Sequence, residues 1–349
     1  MLLVTLHIIL SLCLLAAALS VYIPASALPI PAWFALAFEW LMAVELLLGL
    51  LLLCTKHRRW SWLTLAILLI CAAPLCYTVS HGSLFFPKRE LPHSFTLMSY
   101  NTHLMGGVKK PKQNRVIQYI LRTQPDVVCL QEVEVSKSND NLTLAELREA
   151  LNVYPYTYFD FKIYNTRRQY GNVVFSRFPL IDKHTLRYES KGNITSVCNI
   201  VLPGDTIRLY TNHLESNRLQ HKDLELGTTT EQAQSTLAGT AAKLAQASEI
   251  RTEQAKAIHS DVERSPYPVL VVGDMNTTPV SYTYRILQRG LRDAFLESSD
   301  GQIGHTFVKR GLGVRIDYIL HSKQLSASGF DIPHVDYSDH YPILTTIHY

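Results

Sequence analysis

The chain has 349 residues, 47% of them hydrophobic, with 33 basic and 29 acidic side chains for a formal net charge of +4. The first 80 residues hold Lys56, Arg58 and Arg59 against Glu39 and Glu45, which leaves about +3 for the other 269. That balance is too mild to mark a nucleic-acid surface by itself.

In chain order, the apolar content comes first. Residues 1–80 contain three long apolar runs, roughly Leu2–Ile23, Trp33–Cys54 and Trp60–Val79. Each is about 20 residues, enough at about 1.5 Å per residue to span the ~30 Å hydrocarbon core, so three transmembrane helices are predicted. Ala25-Ser26-Ala27 looks like a signal-peptide cleavage site. The N-terminus carries no Lys or Arg, however, and the run is long for a signal, so a retained helix is expected. Glu39 and Glu45, inside the second run, are expected to pack against a neighbouring helix or a partner and are given no chemical role. Lys56-His57-Arg58-Arg59 faces an uncharged Pro24–Ala32 loop. The positive-inside tendency then predicts a multi-pass membrane protein whose remaining residues lie outside the cytoplasm.

Ser80–His93, with Gly82, Pro87 and Pro92, reads as a linker. Fully extended it reaches roughly 45–50 Å, so a domain tethered by it stays near the bilayer. The expected domains are a membrane domain over 1–80, a linker over 81–93 and a second domain over 94–349. The last has ample length for one core.

From Phe95 onward short strands alternate with helices. Phe95–Tyr100 alternates as a strand, Gln113–Gln124 has helical spacing, and Val127–Leu130 reads as a buried strand. A helix is expected over Leu142–Leu151, followed by a Tyr-rich stretch to Tyr164. Strands are expected over Gly171–Ser176, Val197–Leu202 and Thr206–Asn212. Leu219–Ala238 reads as a polar insertion without clear structure, and Glu231–Glu263 as one or two helices. Val269–Val272, Ile316–Leu320 and Ile343–Ile347 complete the strands. This order predicts an α/β fold of two packed sheets flanked by helices. Cys129 and Cys198, both inside apolar runs, are expected to be buried free thiols. Asn141 and Asn193 begin two Asn-x-Thr triplets of the glycosylation type.

Five of the strand-like runs end in side chains that handle metals or protons. They are Ser99-Tyr100-Asn101, Cys129-Leu130-Gln131-Glu132, Thr211-Asn212-His213, Gly273-Asp274-Met275-Asn276 and, near the C-terminus, Ser338-Asp339-His340. Carboxylates, carboxamides and imidazoles at such positions suit a divalent cation and a phosphate ester together: oxygen ligands for the ion, neutral or cationic donors for the phosphate.

Taken in order with Arg315-Ile316-Asp317-Tyr318, this set resembles the endonuclease/exonuclease/phosphatase superfamily, which includes DNase I, apurinic-site endonucleases, neutral sphingomyelinases and inositol-phosphate 5-phosphatases. The resemblance covers Ser94–Tyr349 and none of the apolar half. It implies a DNase I-like four-layer sandwich and a metal-dependent hydrolase of phosphate esters, using Mg²⁺ or Mn²⁺.

By the same resemblance Glu132 would be the principal metal ligand, with Asn101 and Asp339 in the metal shell and Asn101 also near a phosphate oxygen. Asp274 would orient or deprotonate the attacking water, helped by Asn276. His340 would donate to a phosphate oxygen, its ring fixed and kept cationic by Asp317. His213 would bind phosphate or protonate the leaving oxygen, with Asn212 shaping the same edge. Arg315 contacts phosphate on one reading and pairs with a nearby acid on the other.

One departure stands out. Where apurinic-site endonucleases carry an acid two positions after the first Asn, this chain has His103, which removes one metal carboxylate. The expected partners are a phosphoester substrate and the lipid bilayer; no protein partner is deducible. The substrate expectation is a lipid headgroup or other small phosphoester. A nonspecific nuclease outside the cytoplasm is the alternative, and a catalytically lapsed binding domain is the non-enzymatic one.

Overall fold

The computed structural model describes all residues except 83–90, 108–109, 138–140, 166, 187, 189, 191–192, 218–229 and 310. Most of the 81–93 linker, and the first part of the Leu219–Ala238 insertion, therefore fall outside the described residues. The chain divides into two compact units. One joins Met1–Val79 with Ser216–Ala255 and Thr277–Ile286; the other comprises Ser80–Glu215, Lys256–Asn276 and Leu287–Tyr349. Two segments from later in the chain thus group with the apolar helices.

The apolar unit begins with α1 (Leu2–Leu19), α2 (Ile30–Ala35), α3 (Phe38–Leu53), α4 (Ser61–Ile70) and α5 (Ala72–Thr78). The expectation of three membrane spans needs correction. Among the described residues one helix, α1, is long and apolar enough to cross a membrane, or two if α4 and α5 are counted as a single bent span. The second run splits near Leu36, leaving α3 with 16 residues, about 24 Å of helix and short of the hydrocarbon thickness. The third run bends by 61° at Cys71. Pro74 explains the break: it has no N–H to give the Ile70 carbonyl one turn earlier, and its ring crowds that carbonyl. The multi-pass orientation drawn from Lys56–Arg59 needed two unbroken spans and loses its premise.

Polar groups clamp these helices together. Fully buried His7 and Glu45 meet at 2.8 Å, Ser11 donates to the same Glu45 oxygen at 3.0 Å, and Thr64 Oγ1 lies 2.9 Å from His7 Nε2. Gly49 admits Thr64 so closely that a β-carbon there would sit 2.3 Å from its hydroxyl, as at other close helix contacts. Glu45 thus has the packing role expected of it. Later segments join the unit: Ser20 donates to the Val280 carbonyl and Thr278 to that of Ala35. Thr230–Glu263 forms a single helix, so the described end of the polar insertion is ordered rather than structureless. Outward-facing Leu12, Leu50 and Leu69 are each at least 60% exposed, apolar surface of the kind that contacts a membrane or a partner.

The other unit is built on two six-stranded sheets. Its strands are β1 (Ser94–Asn101), β2 (Val127–Ser136), β3 (Tyr156–Tyr164), β4 (Arg168–Ser176), β5 (Leu180–Leu186), β6 (Ile194–Leu202), β7 (Asp205–His213), β8 (Val269–Asp274), β9 (Leu291–Asp293), β10 (Asp317–Ser322), β11 (Ser326–Asp331) and β12 (Ile343–His348). The first sheet runs β11-β12-β1-β2-β4-β3 and the second β9-β10-β8-β7-β6-β5. In each, one parallel pair lies at the centre, β1 with β2 and β7 with β8, and the remaining pairs are antiparallel.

Strand alternation sorts the core. Leu97 and Cys129 join Cys198, Leu209, Leu270 and Ile319 in a cluster drawn from both sheets, the filling of the sandwich. Their neighbours Met98, Val128 and Leu130 face the other way and pack against α6 (Arg115–Thr123) and α7 (Leu144–Ala150) through Ile117, Ile120 and Leu147. Cys129 and Cys198 are buried and free, as expected. Asn193 is buried, with its amide nitrogen donating to the Leu214 carbonyl at 2.6 Å, so its Asn-x-Thr triplet does not offer an accessible acceptor. The observed architecture is the expected α/β fold of two packed, helix-flanked sheets.

Candidate active site

Both parallel pairs end on the same chemistry. In the second sheet His213, Asp274 and Asp317 are direct neighbours across β7, β8 and β10. Side chains opposite one another on adjacent strands share a face, so these three line up at one sheet end. Gly273 makes the row possible. It adopts φ +121, and a β-carbon there would fall 2.1 Å from the Asn212 carbonyl oxygen, so only glycine fits before Asp274.

The first sheet contributes Asn101 and Glu132. Asn101, wholly buried at the end of β1, donates its Nδ2 to Asp274 Oδ2 at 2.9 Å and to Glu132 Oε1 at 3.2 Å, joining the two sheets. Glu132 reaches this point through a bulge in β2, whose register with β4 shifts between Leu130 and Val133. Its φ of +53 is left-handed, a costly backbone for a glutamate and of a kind that gathers at functional sites. A second bridge between the sheets is Asn172 of β4, which donates to the Thr211 carbonyl of β7 at 2.9 Å.

The charges are mutually adjusted. Burial works to raise the Glu132 pKa, but contact with His213 at 3.3 Å, the Asn101 amide and the His340 charge outweigh it and hold it to about 2. Burial likewise opposes a charged His340, yet Asp317 and Asp274 carry its pKa up to about 10. Its Nδ1 lies 2.9 Å from Asp317 Oδ2 and its Nε2 3.7 Å from Asp274 Oδ2. Burial pushes Asp274 above the usual carboxylate range, with the Asp317 charge adding to it and His340 and His213 opposing. For His213, burial is overcome by Glu132 and then Asp274, and its pKa is raised. The result is a buried imidazolium facing a reluctant carboxylate, a pairing common at catalytic sites.

Asn276, at φ +49, donates its backbone N–H to Asp274 Oδ1 at 2.8 Å and its amide to Asp274 Oδ2 at 3.1 Å. Asp274 is thereby held from both sides. Asp339 is more open: its Oδ1 lies 3.5 Å from His103 Nδ1, which is also 3.9 Å from Glu132 Oε2.

Three sequence expectations are placed differently. Asn212 faces away from His213 because adjacent strand residues alternate. Its oxygen accepts from Thr195, and its nitrogen donates to the carbonyls of Tyr210 and Val272. A substrate contact would break those bonds. Arg315 takes the second of its two readings. It is 1% exposed, donates to Asp293 at 2.6 Å and lies over the rings of Phe295 and Tyr318. Asn101 turns its nitrogen toward the two carboxylates and its oxygen toward the His103 N–H, so in this arrangement it orients Glu132 and Asp274.

Sequence reasoning missed three supports. Thr306 Oγ1 accepts the backbone N–H of Ile316 and of Asp317, fixing the start of β10. Phe307 packs its ring 4.9 Å from that of His340. Asn172 is the third, and its only sequence signal is a polar residue inside the apolar strand that follows Gly171.

The residues present fit a divalent cation. Among the described residues, Glu132 groups with His213 and Asp274, and Asp274 with Asp317 and His340, each set with ligand atoms within 4.8 Å of one another. Glu132 is held anionic, and Asp317 Oδ1 is buried without a hydrogen-bond partner. Glu132 would hold the ion from the first sheet, with Asp339 on its more open side.

A sequence profile described as the Endonuclease/Exonuclease/phosphatase family matches residues 98–340. Among solved structures, an endonuclease/exonuclease/phosphatase from Beutenbergia cavernae superposes with a TM-score of 0.55 at 20% identity, over 73% of this chain and 71% of its own. A family protein from Leptotrichia buccalis gives 0.52 at 18% identity, over 73% and 100%. Truncated TDP2 from Caenorhabditis elegans gives 0.51 at 16% identity, over 73% and 98%. At such identities the likeness is one of fold. No curated protein matches the chain. The profile runs from β1 to His340 and takes in every strand end that builds the site, and on that ground the chain belongs to the endonuclease/exonuclease/phosphatase family.

Proposed function

We propose that the chain is a divalent-metal-dependent phosphoesterase that hydrolyses its substrate by direct attack of water on phosphorus. The reading rests on one observation: Glu132, His213, Asp274, Asp317 and His340, distant in sequence, converge at one end of the two sheets. A bound cation would supply neutralisation of charge on the phosphate and the leaving oxygen. Asp274, with Asn276 beside it, would orient the water and draw off its proton, as its raised pKa suits. His340, kept cationic by Asp317, would donate from Nε2 to a non-bridging oxygen, and His213 would bind the phosphate or protonate the leaving oxygen. No covalent enzyme intermediate is required.

The substrate class we favour is a lipid headgroup or other small phosphoester at a membrane surface, with α1 and the exposed apolar faces of α3 and α4 as the anchor. Two features support it: the mild net charge and the outward Leu12, Leu50 and Leu69. A nonspecific nuclease is the competing outcome.

Assays of the full chain in detergent with Mg²⁺ or Mn²⁺ test both. The substrates are bis-p-nitrophenyl phosphate, sphingomyelin, phosphatidylinositol phosphates and plasmid DNA. Turnover should appear on at least one ester and fall about a hundredfold or more in Glu132→Ala. Wild-type turnover in that variant, or none on any ester, refutes the proposal. A steep loss of rate with ionic strength on DNA identifies the nuclease instead.

A further inference from the structure

One layer of the sandwich departs from its apolar filling. Ser99, Gln131 and Asn172 face inward from the first sheet, and Ser196 and Thr211 from the second. Each stands two residues along its strand from a member of the apolar core, and side chains so spaced share a face. Two residues the other way from Ser99 and Thr211 lie Asn101 and His213, so this polar layer is the floor of the site. None of the five is more than 1% exposed, and polar groups buried to that degree cost free energy unless they are bonded.

The layer meets that need only in part. Gln131 donates to Ser99 Oγ at 3.3 Å and to the Cys129 carbonyl at 3.2 Å. Asn172 donates to the Thr211 carbonyl at 2.9 Å and to that of Ile194 at 3.4 Å. All four bonds use amide nitrogens. Gln131 Oε1, Asn172 Oδ1, Ser196 Oγ and Thr211 Oγ1 have no hydrogen-bond partner among the described residues. Thr211 also faces the Cys129 thiol across the sandwich, a weak partner that leaves the hydroxyl open to a stronger one.

The four open oxygens are neighbours. Ser196 and Thr211 lie directly opposite one another on β6 and β7. Asn172 is tied to the Thr211 backbone, and Gln131 sits in the stretch of β2 that bulges against Asn172, between the Leu130–Val173 and Val133–Gly171 pairs. Two groups bonded to one water can stand up to about 5.5 Å apart, and opposed side chains begin about 4.5–5.5 Å apart at their β-carbons. The set is also balanced. Two carboxamide oxygens can only accept, and two hydroxyls can donate. Water answers both, with two hydrogens for the carboxamides and two lone pairs for the hydroxyls. The set holds no carboxylate to neutralise a cation.

We propose that this layer is a binding site for one internal water, held by Gln131, Asn172, Ser196 and Thr211, and that the water positions Glu132 against His213. Gln131 immediately precedes Glu132, whose left-handed φ turns both side chains inward. Thr211 lies two residues before His213. The water thus joins the two strand ends that set Glu132 and His213 3.3 Å apart, one from each sheet. The positioning half rests on the phosphoesterase reading; the water itself does not.

The experiment is a crystal structure of the full chain in detergent at a resolution that shows ordered water, with a second crystal soaked in Rb⁺. Kinetics on bis-p-nitrophenyl phosphate accompany it. The wild type should show one peak within hydrogen-bond distance of at least three of the four oxygens, without anomalous signal after the soak. Thr211→Val keeps the shape and removes the hydroxyl. It should lose the peak and lower kcat about tenfold, with KM within about twofold of wild type. Thr211→Ser should restore the peak and most of kcat. Ser196→Ala removes the opposite donor and repeats the test if Thr211→Val does not fold. No peak in the wild type, or a peak that takes up Rb⁺, overturns the site. A lost peak with unchanged kcat overturns the positioning role. A wild type inactive on every ester removes that role together with the phosphoesterase reading, while the density still decides the water.

Discussion

His340 and Asp317 show how one carboxylate sets the chemistry of a neighbour. Asp317 is 2% exposed and held at the start of β10 by Thr306, and it faces the His340 ring at 2.9 Å. Asp317→Asn keeps a hydrogen-bond acceptor for the ring but removes the charge that stabilises the imidazolium. On a phosphoester that the wild type turns over, kcat should fall about a hundredfold or more with KM little changed. An unchanged kcat would show that the His340 charge plays no part in the reaction. Arg315 should behave in the opposite manner. Its buried pair with Asp293 is structural, so Arg315→Met should lower unfolding free energy by about 3–5 kcal/mol, since breaking such a pair strands the other charge. Folded Arg315→Met should keep near-wild-type kcat. A variant as stable as wild type but catalytically dead would restore Arg315 to the site.

Elements carry part of the function through their irregularities. β2 delivers Glu132 only because it bulges, and β8 delivers Asp274 only because Gly273 lets its backbone lie against Asn212. Neither device is a property of a regular strand. At a different place in the same unit, the short helix Ala294–Ser298 is tied to β10 and β11 through Glu297. Its carboxylate accepts from the Ala327 N–H at 3.2 Å and lies 3.2 Å from His321 Nε2 and 3.6 Å from Arg292. Burial acts to raise its pKa, but His321, the Ala327 N–H and Arg292 prevail and lower it. A folded pKa below the unfolded one stabilises the fold above the unfolded value, about 4.3 for glutamate, and that stability vanishes as pH falls through the folded value. Glu297→Gln should therefore melt below wild type at pH 7, and the gap in Tm should close as the pH drops below about 4. A gap that stays constant across this range would mean that the Glu297 charge contributes nothing.

At the scale of the whole molecule, two kinds of surface coexist in one chain: a unit of polar-edged sheets and a unit whose helices turn large apolar side chains outward. Exposed apolar surface of this extent marks a site covered by a membrane or by a protein partner, and the proposed anchor makes the first the expected outcome. The full chain should float with phosphatidylcholine vesicles and resist extraction at high salt. Recovery of a monodisperse soluble protein without detergent would show that those faces are covered by protein instead.

How far the sequence reaches can be read from particular residues. Glu132, Asp274, His340 and His213 were legible because strand-like runs ending in carboxylates or imidazoles are improbable unless the strand ends have work to do, whereas Asp317 came only with the family resemblance. The family resemblance fixed their order. The sandwich followed from strand periodicity and from helices placed between the strands. By itself the sequence therefore determined the fold and the inventory of reactive groups, because both depend on local patterns: period, apolarity and side-chain chemistry.

Only the tertiary structure decided which groups face one another. It turned Asn212 into the sheet and paired Arg315 with Asp293. It also broke the third apolar run at Pro74, packed 277–286 against the N-terminal helices, and set His103 between Glu132 and Asp339. Each of these depends on a contact between residues far apart in the chain or on a single backbone angle. A one-dimensional pattern records neither, since partners and dihedrals are chosen by the free energy of the whole packed arrangement.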